Sequence, residues 1–382
     1  MKILVYQWAS YNYRDVIEGF RTMGHEVCFL PGKPSSYDED ASFFEETRKE
    51  LRRIEAAFLF SVNYFGVLSD ACEAEGVPYV CWTCDSALLS MHHKSIRNSV
   101  NRLFFFDRGD MERIRLLGPV FVRHLPLCAD PKRTAALLGT GCGGWLSEIA
   151  FVGSLYEKNT YDELEPKMDD YLRGYLDAAI EAQLSVSGGN LFDRLLTPDI
   201  LARIGERFDL RKSRGSDADL SLIFSSTVLG FKTASEMRLR CLSALSARHD
   251  LILYSNSVPA DSGIRRKPSA DYWTKAPEIY AKTKINLNFT IPNILTGLPL
   301  RIYDVLSAGG FLLTDYRSEL TEEFQVGEEL ECFESVEELE AKCAYYLSHE
   351  EERKRIAENG RKRVCREHTI EKRLEKLFAE LA

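Results

Sequence analysis

Short continuous apolar runs, each followed by a segment of helical period, recur along almost the whole chain, and this alternation restricts the fold more than any other feature. The first third offers strand candidates at Lys2–Gln7 (KILVYQ), His25–Leu30 (HEVCFL), Ala56–Ser61 (AAFLFS), Pro78–Trp82 (PYVCW), Arg102–Asp107 (RLFFFD) and Phe121–Pro126 (FVRHLP). Between them, Tyr11–Met23, stopped by Gly24, and Asp40–Ile54 read as helices. Strands without polar alternation are buried on both faces, so they predict a parallel sheet covered by helices on each side. A second alternation starts at Glu148–Gly153. It continues through helix Ala234–Ala247, strand Asp250–Ser255, helix Ala276–Thr283, strand Lys284–Thr290, helix Pro299–Ala308 and strand Gly310–Tyr316. Val336–Leu347 and the charged run from Glu350 onward read as helices.

Two alternations in 382 residues, more than one core usually organises, predict two doubly wound α/β domains facing a cleft. Residues 1–138 form the first domain, 139–146 a linker and 147–365 the second domain; a helical insertion spans 160–208, and 366–382 is a final helix. The linker segment Leu138–Trp145 (LGTGCGGW) contains a Gly-x-Gly-x-x-Gly at Gly139, Gly141 and Gly144. A dinucleotide fingerprint needs a strand before it and a helix after it. Here a helical segment precedes and a strand follows, so the glycines read as a flexible connection.

The net charge of −9 gives no long-range attraction for a polyanion, which excludes nucleic acid as the expected partner. MKILVYQW is too short an apolar run for a signal peptide, and no stretch approaches the roughly 18 apolar residues that span a bilayer. A cytoplasmic protein without a transmembrane segment is expected. Ten scattered cysteines then read as reduced. Cys81 and Cys84 form a Cys-x-x-Cys with no second pair at zinc spacing. Asp38-Glu39-Asp40 and Asp217-Ala218-Asp219 lie in polar loops, not at the end of an apolar strand, and no metal site is expected.

The most informative segment is Lys284–Tyr316, KINLNFTIPNILTGLPLRIYDVLSAGGFLLTDY. Its strand ends in polar Asn286 and Asn288, and a loop then reaches Thr296-Gly297. Pro299 suits a first helical turn, which places the backbone N–H groups of Gly297, Leu298 and Leu300 at a helix N-terminus, where phosphate binds. Arg301 adds a bidentate cation. Asp304, three residues on, is placed to accept hydrogen bonds from ribose hydroxyls. The alternative for Arg301 and Asp304 is an exposed ion pair worth about a few tenths of a kcal/mol. Phe151–Tyr156 (FVGSLY) ends a strand in Gly153-Ser154, whose N–H groups either face the same diphosphate or close a plain turn. The loop around Tyr254–Trp273, with Tyr254 and Tyr272, is the candidate for base contacts. In the first half, Asp85 closes a buried strand and serves either to deprotonate an acceptor hydroxyl or to cap a helix beginning near Ser86. Asn63-Tyr64 shares that ambiguity. The aromatics of Trp8–Tyr13 either stack on a sugar or pack.

With these residues the chain resembles the CgeB-like (spore maturation protein B-like) glycosyltransferases, a bacterial branch of the GT-B superfamily. The resemblance is carried by Lys284–Tyr316, by ELEAKCAYYL and by EERKRIAENGRKRVCREHTIEKRL. In the first half it is carried by VPYVCWTCDS, RLFFFD, HLPLCAD and EIAFVGSLY. It implies two Rossmann-like domains, with a nucleotide-sugar on the C-terminal one and the acceptor on the N-terminal one, and a last helix, 366–382, that crosses back onto the N-terminal domain. It implies transfer of a sugar from a nucleoside-diphosphate donor (UDP favoured, GDP or dTDP as alternatives) to a hydroxyl of a glycan or glycoprotein. No further cofactor is expected. Related retaining enzymes carry a Glu before the phosphate-binding turn and another in the following helix. The second falls here on Asp304 and the first on Thr296, which has no charge. The catalytic-region His that those relatives carry after an N-domain strand falls near Cys84, which passes its role to Asp85; with Arg301 on the departing diphosphate, Asp85 and Arg301 are the catalytic assignment. Two other functions stay open: a nucleotide-sugar-binding protein without transferase activity, and a nucleotide-sugar epimerase.

Overall fold

A computed structural model describes residues 1–8, 10–139, 144–210, 215–256 and 263–381. Part of the predicted linker, residues 140–143, and part of the Tyr254–Trp273 loop, residues 257–262, lie outside the described residues. The chain forms two compact units.

The first unit comprises Met1–Leu127, Leu210–Asp219 and Ile370–Ala382. Its strands are β1 (Lys2–Tyr6), β2 (Glu26–Leu30), β3 (Phe58–Val62), β4 (Tyr79–Trp82), β5 (Asn101–Phe105) and β6 (Val122–His124). All pair in parallel, in the order β2-β1-β3-β4-β5-β6. Every residue of β3 and β4 is buried, because helices cover both faces. On one face, Leu4, Leu59, Tyr79 and Leu103 pack with Phe43, Leu51 and Leu68 of the helices Ala41–Ile54 and Gly66–Glu75. On the other, Phe20 and Phe378 meet Phe58 edge-on or tilted. Phe378 belongs to the last helix, Ile370–Leu381. That helix lies so close to Tyr13–Thr22 that a Cβ on Gly19 would come within 2.5 Å of Leu374 Cδ1. Asp40 starts the helix Ala41–Ile54 by accepting the Phe43 N–H.

The second unit comprises Cys128–Asp209 and Leu220–Thr369. The helix Pro131–Leu138, read from the sequence with the first domain, is grouped here. Its strands are β7 (Ser147–Val152), β8 (Leu251–Tyr254), β9 (Arg266–Lys267), β10 (Thr283–Asn288), β11 (Leu312–Asp315) and β12 (Glu331–Phe333). The parallel order is β12-β11-β10-β7-β8-β9. Ile149, Leu253, Ile285 and Leu313 form a core with Leu242, Leu245, Leu339 and Ile356 from the covering helices. Residues 160–208 are helical apart from short connections, with Asp170–Leu184 and Pro198–Arg207 the longest pieces. Strands β9 and β12, two and three residues long, have no counterpart in the predicted elements.

Each sheet changes direction once. In the first, the chain places β2 on one side of β1 and β3 on the other; in the second it places β8 on one side of β7 and β10 on the other. A ligand crevice opens at such a switch point, outside the carboxyl ends of the two diverging strands.

Candidate functional site

The switch point of the second unit brings together Val152–Ser154 at the end of β7 and Asn288–Thr290 at the end of β10. These are the segments singled out in the sequence. Arg301 reaches both from the helix Leu300–Ser307: its Nε donates to the Val152 carbonyl at 3.0 Å and its Nη1 to Asn288 Oδ1 at 2.6 Å. The guanidinium lies over the Phe151 ring, 4.9 Å from its centroid. Nη2 sits where a side chain at residue 153 would be, since a Cβ there would come within 2.8 Å of it. Residue 153 is therefore a glycine because of close approach. Asn288 is held in turn, its Nδ2 donating to Thr314 Oγ1 at 2.9 Å. Asp315 accepts from the N–H and hydroxyl of Thr290 and pairs with Arg317 at 3.2 Å. This buried network fixes the ends of β10 and β11.

A second cation was not singled out in the sequence. Arg238, on the helix Gly230–Ser246, is 4 % exposed, and its Nη1 and Nη2 donate to the carbonyls of Ser154 at 2.7 Å and Phe289 at 2.9 Å. It stacks on Tyr156 at 4.5 Å and on Phe151 at 5.3 Å, so Phe151 touches both guanidinium groups. Its Nε is buried without a partner among the described residues. Burial, and to a lesser degree the charge of Arg301, pulls its pKa below the usual arginine range. Two cations thus converge on one turn, an arrangement that a bound anion would relieve. The signal was present in the sequence: Ala234, Arg238, Cys241, Leu242 and Leu245 form one helical stripe, and only Arg238 in it is charged.

Pro299 is the N-cap of its helix, one position before the expected first turn, and the helix begins at Leu300. Of the first-turn N–H groups, that of Ile302 donates to the Pro299 carbonyl at 3.1 Å, and those of Leu300 and Arg301 have no acceptor within the helix. Gly297 and Leu298 are buried beside it. Asp304 is nearly buried and accepts from the Tyr272 hydroxyl at 3.1 Å. Tyr272 packs edge-on against Trp273, and Arg133 lies over both rings at 5.5 and 4.9 Å. Thr296 donates its hydroxyl to Glu319 Oε1 at 2.6 Å, and its carbonyl accepts the Glu319 N–H at 3.2 Å. Glu319 is 2 % exposed. The uncharged Thr296 therefore has a carboxylate at hydrogen-bond distance, supplied from a part of the chain that spacing does not connect to it.

Two expectations are corrected. The Gly153 N–H is not free for a ligand, because the β7–β8 pairing extends one residue and it donates to the Tyr254 carbonyl at 3.1 Å. The Tyr254 ring packs with Ala150, Ile252 and Ile279, so its contribution at this turn is through the backbone. Ser154 Oγ accepts from the Tyr156 N–H.

In the first unit, Asp85 is exposed three residues beyond β4 and caps no helix: the next helical turn starts at Leu89. Asn63, with φ +63°, accepts the N–H groups of Cys84 and Asp85 on Oδ1 and donates from Nδ2 to Asp85 Oδ2 at 2.7 Å. Burial first, and the neighbouring Asp85 second, push the Cys84 thiol well above its usual range. Trp8, Tyr37 and Phe65 meet edge to face, so Trp8 is packed within an aromatic trio; Tyr11 is exposed. Among the described residues no three His, Cys, Asp or Glu side chains are grouped to hold a metal ion. Nor is any helix there long and apolar enough to cross a membrane.

Residues 235–379 match a family model described as glycosyl transferase-like. No curated protein matches the chain in sequence. Sucrose-phosphate synthase from Thermosynechococcus elongatus is similar in structure, with a TM-score of 0.53 at 9 % identity, over 100 % of this chain and 99 % of that one. HepE from Anabaena, solved with UDP and glucose, gives 0.55 at 9 % identity, over 100 % and 99 %. BGT from T4 phage, solved with UDP-glucose, gives 0.50 at 8 % identity, over 99 % and 98 %. The two parallel six-stranded sheets are thus those of the GT-B fold.

Proposed function

We propose, from the match of residues 235–379 to a glycosyl transferase-like family model and from the GT-B fold, that the chain transfers a sugar from a UDP-sugar to a hydroxyl of a glycan or glycoprotein. The observation that carries the donor assignment is the convergence of Arg238 and Arg301 on Phe151 and the Gly153-Ser154 turn, at the switch point of one sheet. The diphosphate lies against these cations and the first N–H groups of the helix Leu300–Ser307. Both stabilise the charge that grows on the leaving group. Asp304, with Tyr272, accepts the ribose hydroxyls; Thr296 with Glu319 meets hydroxyls of the donor sugar. Asp85, oriented by Asn63, takes the proton of the acceptor hydroxyl. The acceptor hydroxyl oxygen bonds to the anomeric carbon as the bond from that carbon to the β-phosphate oxygen breaks. Two arginines and a helix N-terminus supply the positive charge, so the reading requires no metal. UDP is favoured because HepE and BGT were solved with UDP or UDP-glucose. Membership of the CgeB-like branch rests on the sequence motifs.

Incubation with UDP-, GDP- and dTDP-sugars and a glycan mixture, following nucleoside diphosphate release and glycan mass, tests the reading. Acceptor-dependent release with a gain of one sugar supports it. Interconversion of donors would replace it with an epimerase, and binding with neither hydrolysis nor transfer with a binding protein.

A further inference from the structure

A π turn interrupts the long helix that carries Arg238. Leu220–Phe224 and Gly230–Ser246 are α-helical, and across Ser225–Leu229 the ladder is one residue wider, the Gly230 N–H donating to the Ser225 carbonyl five residues back. The local sequence favours this. The hydroxyls of Ser225 and Ser226 donate to the Leu222 carbonyl at 3.2 and 2.6 Å, and that of Thr227 donates to the Ile223 carbonyl at 2.6 Å. Hydroxyls bonded back onto the preceding turn loosen and bend a helix. π turns inside α-helices occur frequently at functional sites. The Ser226 carbonyl, which an α-helix would pair with the Gly230 N–H, accepts from Asn293 Nδ2 at 3.0 Å.

Asn293 is buried on the loop between β10 and the helix Leu300–Ser307, three residues before Thr296. Its amide lies where a side chain at residue 230 would be: a Cβ there would come within 2.0 Å of Asn293 Oδ1 and 3.1 Å of its Cγ. The backbone of Gly230 is ordinary α-helix, φ −61° and ψ −43°, so close approach and not conformation accounts for the glycine. The same loop is gripped at two more points. Arg238 Nη2 donates to the Phe289 carbonyl at 2.9 Å, and Asn190 of the helical insertion donates from Nδ2 to the Pro292 carbonyl at 3.4 Å. We infer that Asn293, seated in the π turn against Gly230, is a latch that holds the Thr296–Pro299 turn and the first N–H groups of the next helix in register with the diphosphate. Asn293 and Gly230 are thus positioning residues that act through this turn, and the inference rests on the donor site proposed above. Small misplacements of groups that hold a substrate are costly even when they originate away from the contact.

Calorimetric titration of the full chain with UDP tests the latch, with circular dichroism and a cooperative melt to show that each variant is folded. Asn293→Ala removes the donor to Ser226, Gly230→Ala drives the amide out of its space, and each lowers UDP affinity at least about fivefold. The double variant binds no more weakly than Asn293→Ala alone, because the added methyl then has no amide to displace. Leu339→Ala, a core truncation in the same unit, melts lower but keeps the wild-type UDP affinity below its melt, which separates positioning from lost stability. Wild-type affinity in either folded latch variant, losses that add in the double variant, or an equal loss in Leu339→Ala overturns the inference. Absence of UDP binding to the folded wild type overturns the donor reading itself, and the latch with it.

Discussion

Arg301 commits two of its three guanidinium nitrogens to the protein, at Val152 and Asn288, and those bonds aim the third at the turn after β7. Arg301→Ala is expected to lower transfer at least tenfold, about 1.4 kcal/mol of barrier. Lysine does not restore it, because a point charge cannot reproduce the two fixed hydrogen bonds. Wild-type turnover in either folded variant, measured as UDP release, removes Arg301 from the mechanism. Gly153→Ala tests the same geometry from the other side. Its Cβ would meet Arg301 Nη2 at 2.8 Å and Phe151 Cζ at 3.1 Å, so donor KM rises several-fold and the melting temperature falls. An unchanged KM contradicts the close approach. Asp110 is a residue with a pH signature. Burial, and then the charge of Asp107, push its carboxyl from 3.8 up to about 7. The folded state then holds this proton to higher pH than the unfolded chain, so the stability it confers is complete below about pH 4 and is lost as pH rises through 7. Asp110→Asn should therefore melt above the wild type at pH 8, with the gap closing towards pH 4; a gap independent of pH contradicts the assignment.

Elements that carry a repeating period are legible in the sequence, and contacts decided in three dimensions are not. The buried strands β1, β3, β4, β7 and β10 announced themselves as apolar runs, because a two-sided parallel strand has no polar face to hide it. Strands β9 and β12 are too short to carry a pattern. The loop and helix from Thr296 to Asp304 were legible through Pro299 and Arg301. Glu319 was not, since only folding brings it to Thr296. Arg238 lay in plain view on an apolar stripe, but a helix-period reading absorbs a single charge without remark. The last helix is the element whose role is most exposed to test. Leu374 is fully buried against the helix Tyr13–Thr22 at Gly19, and Leu374→Ala should cost about 2–5 kcal/mol in chemical denaturation. A loss below about 0.5 kcal/mol would show that the helix is not packed as described.

The whole molecule repeats one plan: two parallel sheets, each reversing direction once, with polar candidates gathered at the reversal. In the second unit that point holds Arg238, Arg301 and the Gly153-Ser154 turn; in the first, Asn63 with Asp85 occupies the end of the diverging strand β3 and its neighbour β4. In the proposed function the second unit's turn holds a nucleoside diphosphate by its phosphates. Calorimetric titration of wild type, Arg238→Ala and Arg301→Ala with UDP and with uridine tests it most directly. The account predicts saturable UDP binding, weakened at least tenfold in each folded variant, with uridine weak and unaffected by either substitution. UDP binding of equal strength in all three proteins, or none to the folded wild type, would contradict it.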